Sequence, residues 1–322
     1  GISPVTGGSP TAIAIAEQLQ PTATEHYARW IDGDTHPMAS GSTAPNVRAS
    51  ASAGDLGFVV GDRGYIAVWS GNALTQQASP TARDLWTVWL DPLGSGVGWA
   101  GGERGTLLRR HPVLGWQASP APMPVATSAD PENSDRVVAI TGSAPTDIWL
   151  LDGRNRIWHY DGVDWAAATS PAPLVTKPGQ SWPPKPMIPR LRALRSLGDG
   201  SLVAVGDGGL LARALTGAGA GGAGAASLSW QSLPVARNDA LHAVWGVGYD
   251  DFWIAGDRGA LGKISITSGF GGSAGVTWLS SGTDESLFAL HGDSGGVHVV
   301  GGAGVWLRVG LNGKVSGGAV AD

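Results

Sequence analysis

The run His291-Gly-Asp-Ser-Gly-Gly296 contains the five residues that surround the nucleophile in one class of serine protease. That chemistry needs a histidine base beside the serine and an aspartate that orients the histidine. The expected surroundings of such a histidine are missing from the sequence. In the internal repeat described below, other copies have a turn at this place. We therefore interpret the run as a turn and predict no catalytic residue.

A second run, Gly96-Val-Gly-Trp-Ala-Gly101, has the Gly-x-Gly-x-x-Gly spacing of a nucleotide-binding loop. Such a loop must lie between a strand and a helix, so that the helix N-terminus can hold the phosphates. Here the run lies on a predicted strand and no predicted helix follows it. The sequence thus predicts no nucleotide cofactor.

The seven histidines include no pair with the spacing of a helix-borne metal site. His291 and His298 are close enough in sequence to meet across a hairpin, and Asp130, Glu132 and Asp135 carry the oxygens that calcium prefers. Neither set has the regular spacing of a known metal motif. We predict no metal and no other cofactor, and leave calcium open.

A repeat of about 45 residues organises the chain, and repeats of this length are typical of propellers and solenoids. One copy reads Leu241-His-Ala-Val-Trp-Gly246, Asp251-Phe-Trp-Ile-Ala-Gly256, Ala260–Ile264 and Val276–Leu279. These short apolar runs separated by turn residues indicate a four-stranded meander. Copies begin at Val47, Leu85, Val137, Leu191, Leu241 and Leu287.

A large side chain recurs in the last strand of successive copies. The aligned residues are Leu74, Trp116, Trp165, Trp230 and Trp278. One blade cannot cover both of its faces alone, so neighbouring blades must stack. We expect these tryptophans to pack between blades, with sugar stacking as the lesser alternative.

The repeat predicts an all-β fold, a β-propeller of four-stranded blades in one domain over residues 1–322. Six blades are favoured, and seven are possible because Thr11–Ile15 has the character of a further strand. The sixth copy has no tryptophan after Asn312-Gly313, whereas Tyr27-Ala-Arg-Trp30 resembles an outer strand without its partners. We therefore expect a strand near 26–31, in the N-terminal segment 1–46, to complete the last blade and close the ring.

The turn between the second and third strands carries a glycine at its last position in most copies, as in Asp257-Arg-Gly259. That position requires a positive φ, which glycine adopts freely and asparagine tolerates, so Asn155 fits the same turn. Two glycine-rich stretches, 216–229 and 268–275, are predicted surface loops. Two proline-rich insertions, 118–135 and 166–189, connect blades and are long enough to have a function.

In a four-stranded propeller the connections between blades and the turns between strands two and three lie on one face. The second residue of each inner strand should lie on that face, at the mouth of the central channel. Arginine, histidine and tryptophan around a mouth can hold an anionic or sugar-like ligand. The candidate ligand-binding residues are Arg48, Trp86, Arg192 and His242 on the inner strands and Arg63, Arg104, Arg154 and Arg258 on the turns. The alternative is that these arginines pair with neighbouring aspartates.

Composition excludes several classes of protein. With 51 Gly and 21 Pro the chain cannot be a helical solenoid, and without Cys it has no disulfide scaffold. A net charge of −5 argues against a nucleic-acid partner. No apolar run of 18 residues is present, so we expect no membrane-spanning helix. The chain begins with Gly rather than Met, and we expect that an export signal has been removed.

Written out, the repeat resembles those of secreted bacterial propellers of the BNR and YCF48-like type, with some kelch character. The residues that carry the resemblance are Val244-Trp-Gly246, Asp251–Gly259 and Trp278. It covers residues 47–310 and implies architecture more than activity, since such families include assembly factors, adhesins, lectins and hydrolases. A full Asp-box, Ser-x-Asp-x-Gly-x-x-Trp, is absent.

We therefore expect a non-catalytic, exported propeller, outside the cell, in the periplasm or on the cell surface. It would bind a protein or a glycan through the face with the inter-blade loops and the channel mouth. The alternative is a hydrolase or lyase that acts on a glycan or small molecule at the same mouth.

Overall fold

The computed structural model describes residues 12–15, 27–31, 34–38, 46–53, 56–70, 73–123, 135–171, 189–197, 200–215, 228–248, 251–266, 274–293, 296–310 and 312–319. It is an all-β, six-bladed propeller of four-stranded antiparallel blades. The predicted fold class is confirmed, and the first strand of each blade begins at the residue where a copy of the sequence repeat begins. Within the described residues no helix has the length and apolar character needed to cross a membrane.

The first three blades follow one another along the chain, each strand pairing with the next. Blade 1 contains β4 (Val47–Ala53), β5 (Leu56–Gly61), β6 (Ile66–Ser70) and β7 (Ala73–Gln76). Blade 2 contains β8 (Leu85–Leu90), β9 (Gly98–Gly102), β10 (Leu107–His111) and β11 (Gly115–Ser119). Blade 3 contains β12 (Val137–Ala144), β13 (Asp147–Asp152), β14 (Ile157–Tyr160) and β15 (Trp165–Ala168).

The last three blades repeat this order. Blade 4 contains β16 (Leu191–Ser196), β17 (Ser201–Gly206), β18 (Leu211–Leu215) and β19 (Ser229–Ser232). Blade 5 contains β20 (Leu241–Gly248), β21 (Asp251–Gly256), β22 (Leu261–Ile266) and β23 (Ala274–Trp278). Blade 6 contains β24 (Leu287–Asp293), β25 (Gly296–Gly301), β26 (Val305–Gly310) and β27 (Val315–Ala319). In the protease-like run 291–296, Asp293 ends β24 and Gly296 begins β25, while residues 294 and 295, where the turn was predicted, lie outside the described residues.

The N-terminal segment does not complete the last blade, and that expectation was wrong. Strands β1 (Ala12–Ile15), β2 (Tyr27–Ile31) and β3 (Asp34–Met38) form their own three-stranded sheet. β1 contacts both β4 and β25, so this sheet lies beside the first and last blades. Blade 6 obtains its outer strand locally, because a tight turn at Asn312-Gly313, with Gly313 at φ 76°, folds β27 onto β26 without any tryptophan.

The hydrophobic core lies between blades rather than within one central volume. Five clusters of buried side chains each combine residues of two consecutive blades. Because both faces of a blade are covered, the second strands are continuous runs of apolar or small residues instead of alternating ones, as in Phe58-Val-Val60 of β5.

The outer-strand tryptophans contact the preceding blade, which confirms the packing prediction where it can be seen. Trp116 of blade 2 meets Phe58 of blade 1 edge to face, with ring centroids 5.5 Å apart. Trp230 Nε1 donates a hydrogen bond of 2.7 Å to the carbonyl of Thr169. The side chain of Leu74, the aligned residue of blade 1, lies outside the described side chains.

The turn between strands two and three adopts positive φ at two positions rather than one. Gly259 has φ 62°, and a Cβ there would lie 1.9 Å from the carbonyl oxygen of Thr283. The residue before it, Arg258, also has φ 53°. Asn155 has φ 63°, as predicted for its turn. Of the predicted loops and insertions, 216–227, 268–273, 124–134 and 172–188 lie outside the described residues.

Candidate functional site

The inner strands of all six blades carry a β-bulge at the same position. The register between the first and second strands shifts after the first residue of each inner strand. A bulge re-aims the side chain of the extra residue. The six bulged residues are Arg48, Trp86, Val138, Arg192, His242 and Phe288. We call this set the mouth ring.

Backbone hydrogen bonds hold these bulges in place. In blade 1 the amide of Asp62, the first turn residue, donates to the carbonyl of Asn46, which precedes the inner strand, over 2.9 Å. The corresponding bond recurs in every blade, with lengths of 2.8 to 3.0 Å. It ties the turn between strands two and three to the start of the inner strand. The turn residues and the mouth ring therefore lie at the same end of the channel, as the sequence predicted.

Blades 1 and 2 meet at the mouth through Arg48. Its Nε donates to the carboxylate of Asp62, and its Nη2 lies 3.6 Å from Asp84 Oδ2. The guanidinium carbon lies 4.0 Å from the ring centroid of Trp86. Arg48 is thus a positioned cation–π partner with two carboxylates beside it. This covers the indole with a side chain and leaves it less available as a platform for a sugar.

Blades 3 and 4 place three arginines together at the mouth. Arg136 and Arg190 occupy equivalent positions, one residue before their inner strands, and Arg192 is the bulged residue of blade 4. Burial, and then the charges of Arg190 and Arg192, lower the pKa of Arg136. Arg192 Nε donates to Asp207 Oδ1 at 2.5 Å. These three arginines, the blade 3–4 arginine cluster, give this side of the mouth a concentrated positive charge.

Blades 5 and 6 meet through His242. Its Nε2 lies 2.6 Å from Asp257 Oδ1, which also accepts a 2.8 Å hydrogen bond from Ser286 Oγ. The imidazole packs against Phe288, with ring centroids 5.3 Å apart. Burial would raise the pKa of Asp257, but the bonds from His242 and Ser286 and the charges of His242 and Arg192 lower it. Asp257 is therefore a carboxylate acceptor that fixes the imidazole.

The turn arginines do not form one site. Arg154 pairs with Asp135 at 3.1 Å, and Arg258 pairs with the buried carboxylate of Asp239. Arg63 uses its backbone amide to bond Asp84, and the carbonyl of Arg104 accepts from Arg83. Arg154 and Arg258 therefore follow the alternative given by the sequence, in which each arginine pairs with a neighbouring aspartate.

The structure brings no group of three His, Cys, Asp or Glu side chains together as metal ligands within the residues it describes. His291 and His298 are opposite one another in the β24–β25 ladder. Asp135 is bonded to Arg154, whereas Asp130 and Glu132 lie outside the described residues.

Sequence reasoning missed Arg136 and Arg190. Both stand one position before the first apolar residue of a copy, at the end of a connection between blades. Aligning that position across the copies gives Asn46, Asp84, Arg136, Arg190, Ala240 and Ser286. The signal was present, but an alignment that begins at the first apolar residue excludes it.

Comparison with known proteins shows the fold alone. No protein-family model matches the chain, and neither does any curated protein. Among solved structures, YCF48 bound to a D1 peptide has a TM-score of 0.57 at 15% identity, covering 86% of this chain and 83% of that one. YCF48 from Cyanidioschyzon merolae has a TM-score of 0.56 at 12% identity, covering 84% of each chain.

The WD40 propeller domain of Doa1 is similar to the same degree, with a TM-score of 0.60 at 10% identity over 86% of this chain and 83% of that one. These neighbours share the propeller architecture with the chain. The YCF48 likeness agrees with the resemblance seen in the repeat.

Proposed function

We propose that the chain is an exported, non-catalytic binding module that holds a protein partner at the channel mouth. The observation that carries the proposal is the blade 3–4 arginine cluster beside the mouth ring. Three guanidiniums at the rim favour an acidic segment of the partner. One structural neighbour carries a bound peptide, which supports a peptide as ligand for this architecture.

The carboxylates at the mouth favour binding over hydrolysis. A general acid in a glycosidase needs a raised pKa. The pKa of Asp257 is instead lowered, and Asp62 and Asp207 are each bonded to an arginine. Ser286 donates to Asp257 rather than to His242, so the two side chains do not form the serine–histidine pair of a hydrolase nucleophile. These contacts support the non-catalytic reading over the hydrolase or lyase alternative.

A titration with peptides of different charge tests the proposal directly. The protein is titrated against extended peptides that are acidic, neutral or basic and matched in length, and binding is followed by fluorescence anisotropy. We expect the acidic peptides to bind, with an affinity that falls as salt is raised. A glycan array run in parallel tests the sugar alternative, and binding there without peptide binding would refute the proposal.

The sharpest variant is Arg190→Gln. Arg190 is exposed, and within the described residues its side chain has no ion pair, so the change removes one charge without breaking a described ion pair. Lys314→Gln is the matched control, because Lys314 lies in the β26–β27 turn on the opposite face. We expect Arg190→Gln to weaken acidic-peptide binding about 5- to 10-fold. An equal effect of both variants would show that the cluster is not the site.

A further inference from the structure

Arg195 lies on an inner strand that lines the central channel, and within the described residues no ion pair involves its side chain. It belongs to inner strand β16, three residues beyond Arg192, and is opposite Val203 in the β16–β17 ladder. Its Nε–H is buried and donates to no acceptor in the described part of the chain. Its side chain is otherwise half-buried, as expected for a residue that lines a narrow passage.

A buried guanidinium N–H without an acceptor is costly, and proteins normally pair such groups. Burial alone lowers the pKa of Arg195, and no described charge acts on it in the opposite direction. The same blade shows the usual solution at Arg213, which is fully buried and donates from Nε to Gln231 Oε1 at 3.0 Å. Arg195 therefore needs an acceptor that the surrounding strands do not supply.

The inner strands that enclose the channel have a one-sided charge. Together they contain three arginines and two histidines, namely Arg48, Arg192, Arg195, His242 and His291. The acidic residue on these six strands is Asp293, at the last position of β24. The inner strands on either side of β16 are β12 and β20, and neither contains an acidic residue. Arg48, Arg192 and His242 contact carboxylates of the turns at the mouth, which leaves Arg195 as the inner-strand arginine without a carboxylate partner among the described residues.

We propose that Arg195 forms an anion site inside the channel, which takes one oxyanion group, either a carboxylate or a phosphate. The planar fork of a guanidinium binds both groups through two parallel hydrogen bonds. Three residues of strand place this site about 10 Å from the mouth ring. It is thus separate from the blade 3–4 arginine cluster and does not depend on the proposed function.

Thermal unfolding with defined anions tests the site. Inorganic phosphate, acetate and chloride are compared at equal ionic strength and pH. We expect phosphate or acetate, but not chloride, to raise the Tm of the wild-type protein by about 3 °C, because a ligand that binds only the folded state stabilises it. The phosphate and acetate arms distinguish the two sources of the oxyanion.

Variants assign the response to Arg195. Arg195→Met should unfold at a higher temperature than wild type in chloride and should lose the response to oxyanions. Arg195→Lys should keep part of it, because it keeps the charge but not the fork. Arg190→Met, at the mouth, should keep the whole response while it weakens peptide binding. An oxyanion response in Arg195→Met equal to that of wild type would overturn the site.

A measurement on the wild-type protein keeps the test decisive if Arg195→Met does not fold. The arginine Nε–Hε signals are recorded by NMR, and the Arg195 signal is assigned by its loss in Arg195→Lys. We expect that signal to shift on titration with phosphate while the signal of Arg83, an exposed mouth arginine, stays in place. A stationary Arg195 signal would refute the site.

Discussion

The guanidinium of Arg48 and the indole of Trp86 form a cation–π contact of 4.0 Å across the junction of blades 1 and 2. Both residues are bulged, so the contact depends on two bulges that point side chains from neighbouring strands at one another. The indole Nε1 is buried and has no hydrogen-bond partner within the described residues. Trp86 therefore contributes its ring face rather than its polar atom.

This contact predicts a coupling between the two side chains. Trp86→Leu should lower the free energy of unfolding by about 2 kcal/mol through lost burial and lost cation–π attraction. A double-mutant cycle with Arg48→Met should give a coupling energy of about 1 kcal/mol. Urea unfolding measures both. Trp86→Phe is the control, since it keeps an aromatic face and should cost less. A coupling energy near zero would mean that the two side chains are only neighbours.

How far the sequence predicts this mouth depends on the kind of contact. The bulged residues were identifiable because the first apolar residue of every copy marks the start of the inner strand, and the bulged residue is the one directly after it. The arginine cluster was not, because it combines Arg136 from a connection with Arg192 from a strand in the next blade. Aligning the position before each inner strand shows that Arg136 and Arg190 are equivalent, but it does not show that they lie close to Arg192 across two blades.

The outer strand of blade 6 shows a case in which the sequence prediction was wrong although the deciding residues were present. Trp30 was assigned to the last blade because tryptophan marks outer strands elsewhere, yet β27 takes that place without one. A short hairpin after Asn312-Gly313 keeps β27 next to β26, and the local connection decides the pairing. Turn chemistry was the better predictor there than the side chain that the strand carries.

The left-handed turn residues predict opposite effects of two small substitutions. Ala303 has φ 49°, which costs a residue with a Cβ about 1 kcal/mol, so Ala303→Gly should stabilise the protein by roughly 0.5–1 kcal/mol. Blade 4 already has glycine at this position, Gly208. Gly259→Ala should destabilise by about 3 kcal/mol or more, because its Cβ would lie 1.9 Å from a carbonyl oxygen. Chemical unfolding measures both, and a neutral Gly259→Ala would contradict the turn geometry.

A partly buried aspartate in blade 3, Asp147, predicts a loss of stability in acid. Burial would raise the pKa of Asp147, but hydrogen bonds from His159, at 2.9 Å, from Ser143 and from Trp149 outweigh burial and lower it. A lowered pKa in the folded state stabilises the protein above the unfolded value, about 3.9 for aspartate. This contribution disappears as the pH falls through the folded pKa.

Asp147→Asn should therefore be less stable than wild type at pH 7, and the difference should shrink as the pH falls below about 4. The measurement is the free energy of urea unfolding between pH 3 and 7. Asp164→Asn serves as control, because Asp164 is an exposed acid of the same blade. A difference between wild type and Asp147→Asn that does not change with pH would mean that ionisation of Asp147 is not its source.

Two outer-strand tryptophans allow packing to be separated from hydrogen bonding. Trp278 Nε1 donates to the carbonyl of Val235 at 3.2 Å, whereas the buried Nε1 of Trp116 has no partner within the described residues. Trp278→Phe removes this hydrogen bond and leaves the Val235 carbonyl without its donor. The loss lowers the free energy of unfolding by about 1 kcal/mol, in addition to the effect of the smaller ring. Trp116→Phe removes only an unpaired donor and keeps an aromatic edge against Phe58. We expect urea unfolding to show Trp278→Phe as the more destabilising of the two variants by about 1 kcal/mol. Equal losses of unfolding free energy would show that inter-blade packing alone determines the role of both residues.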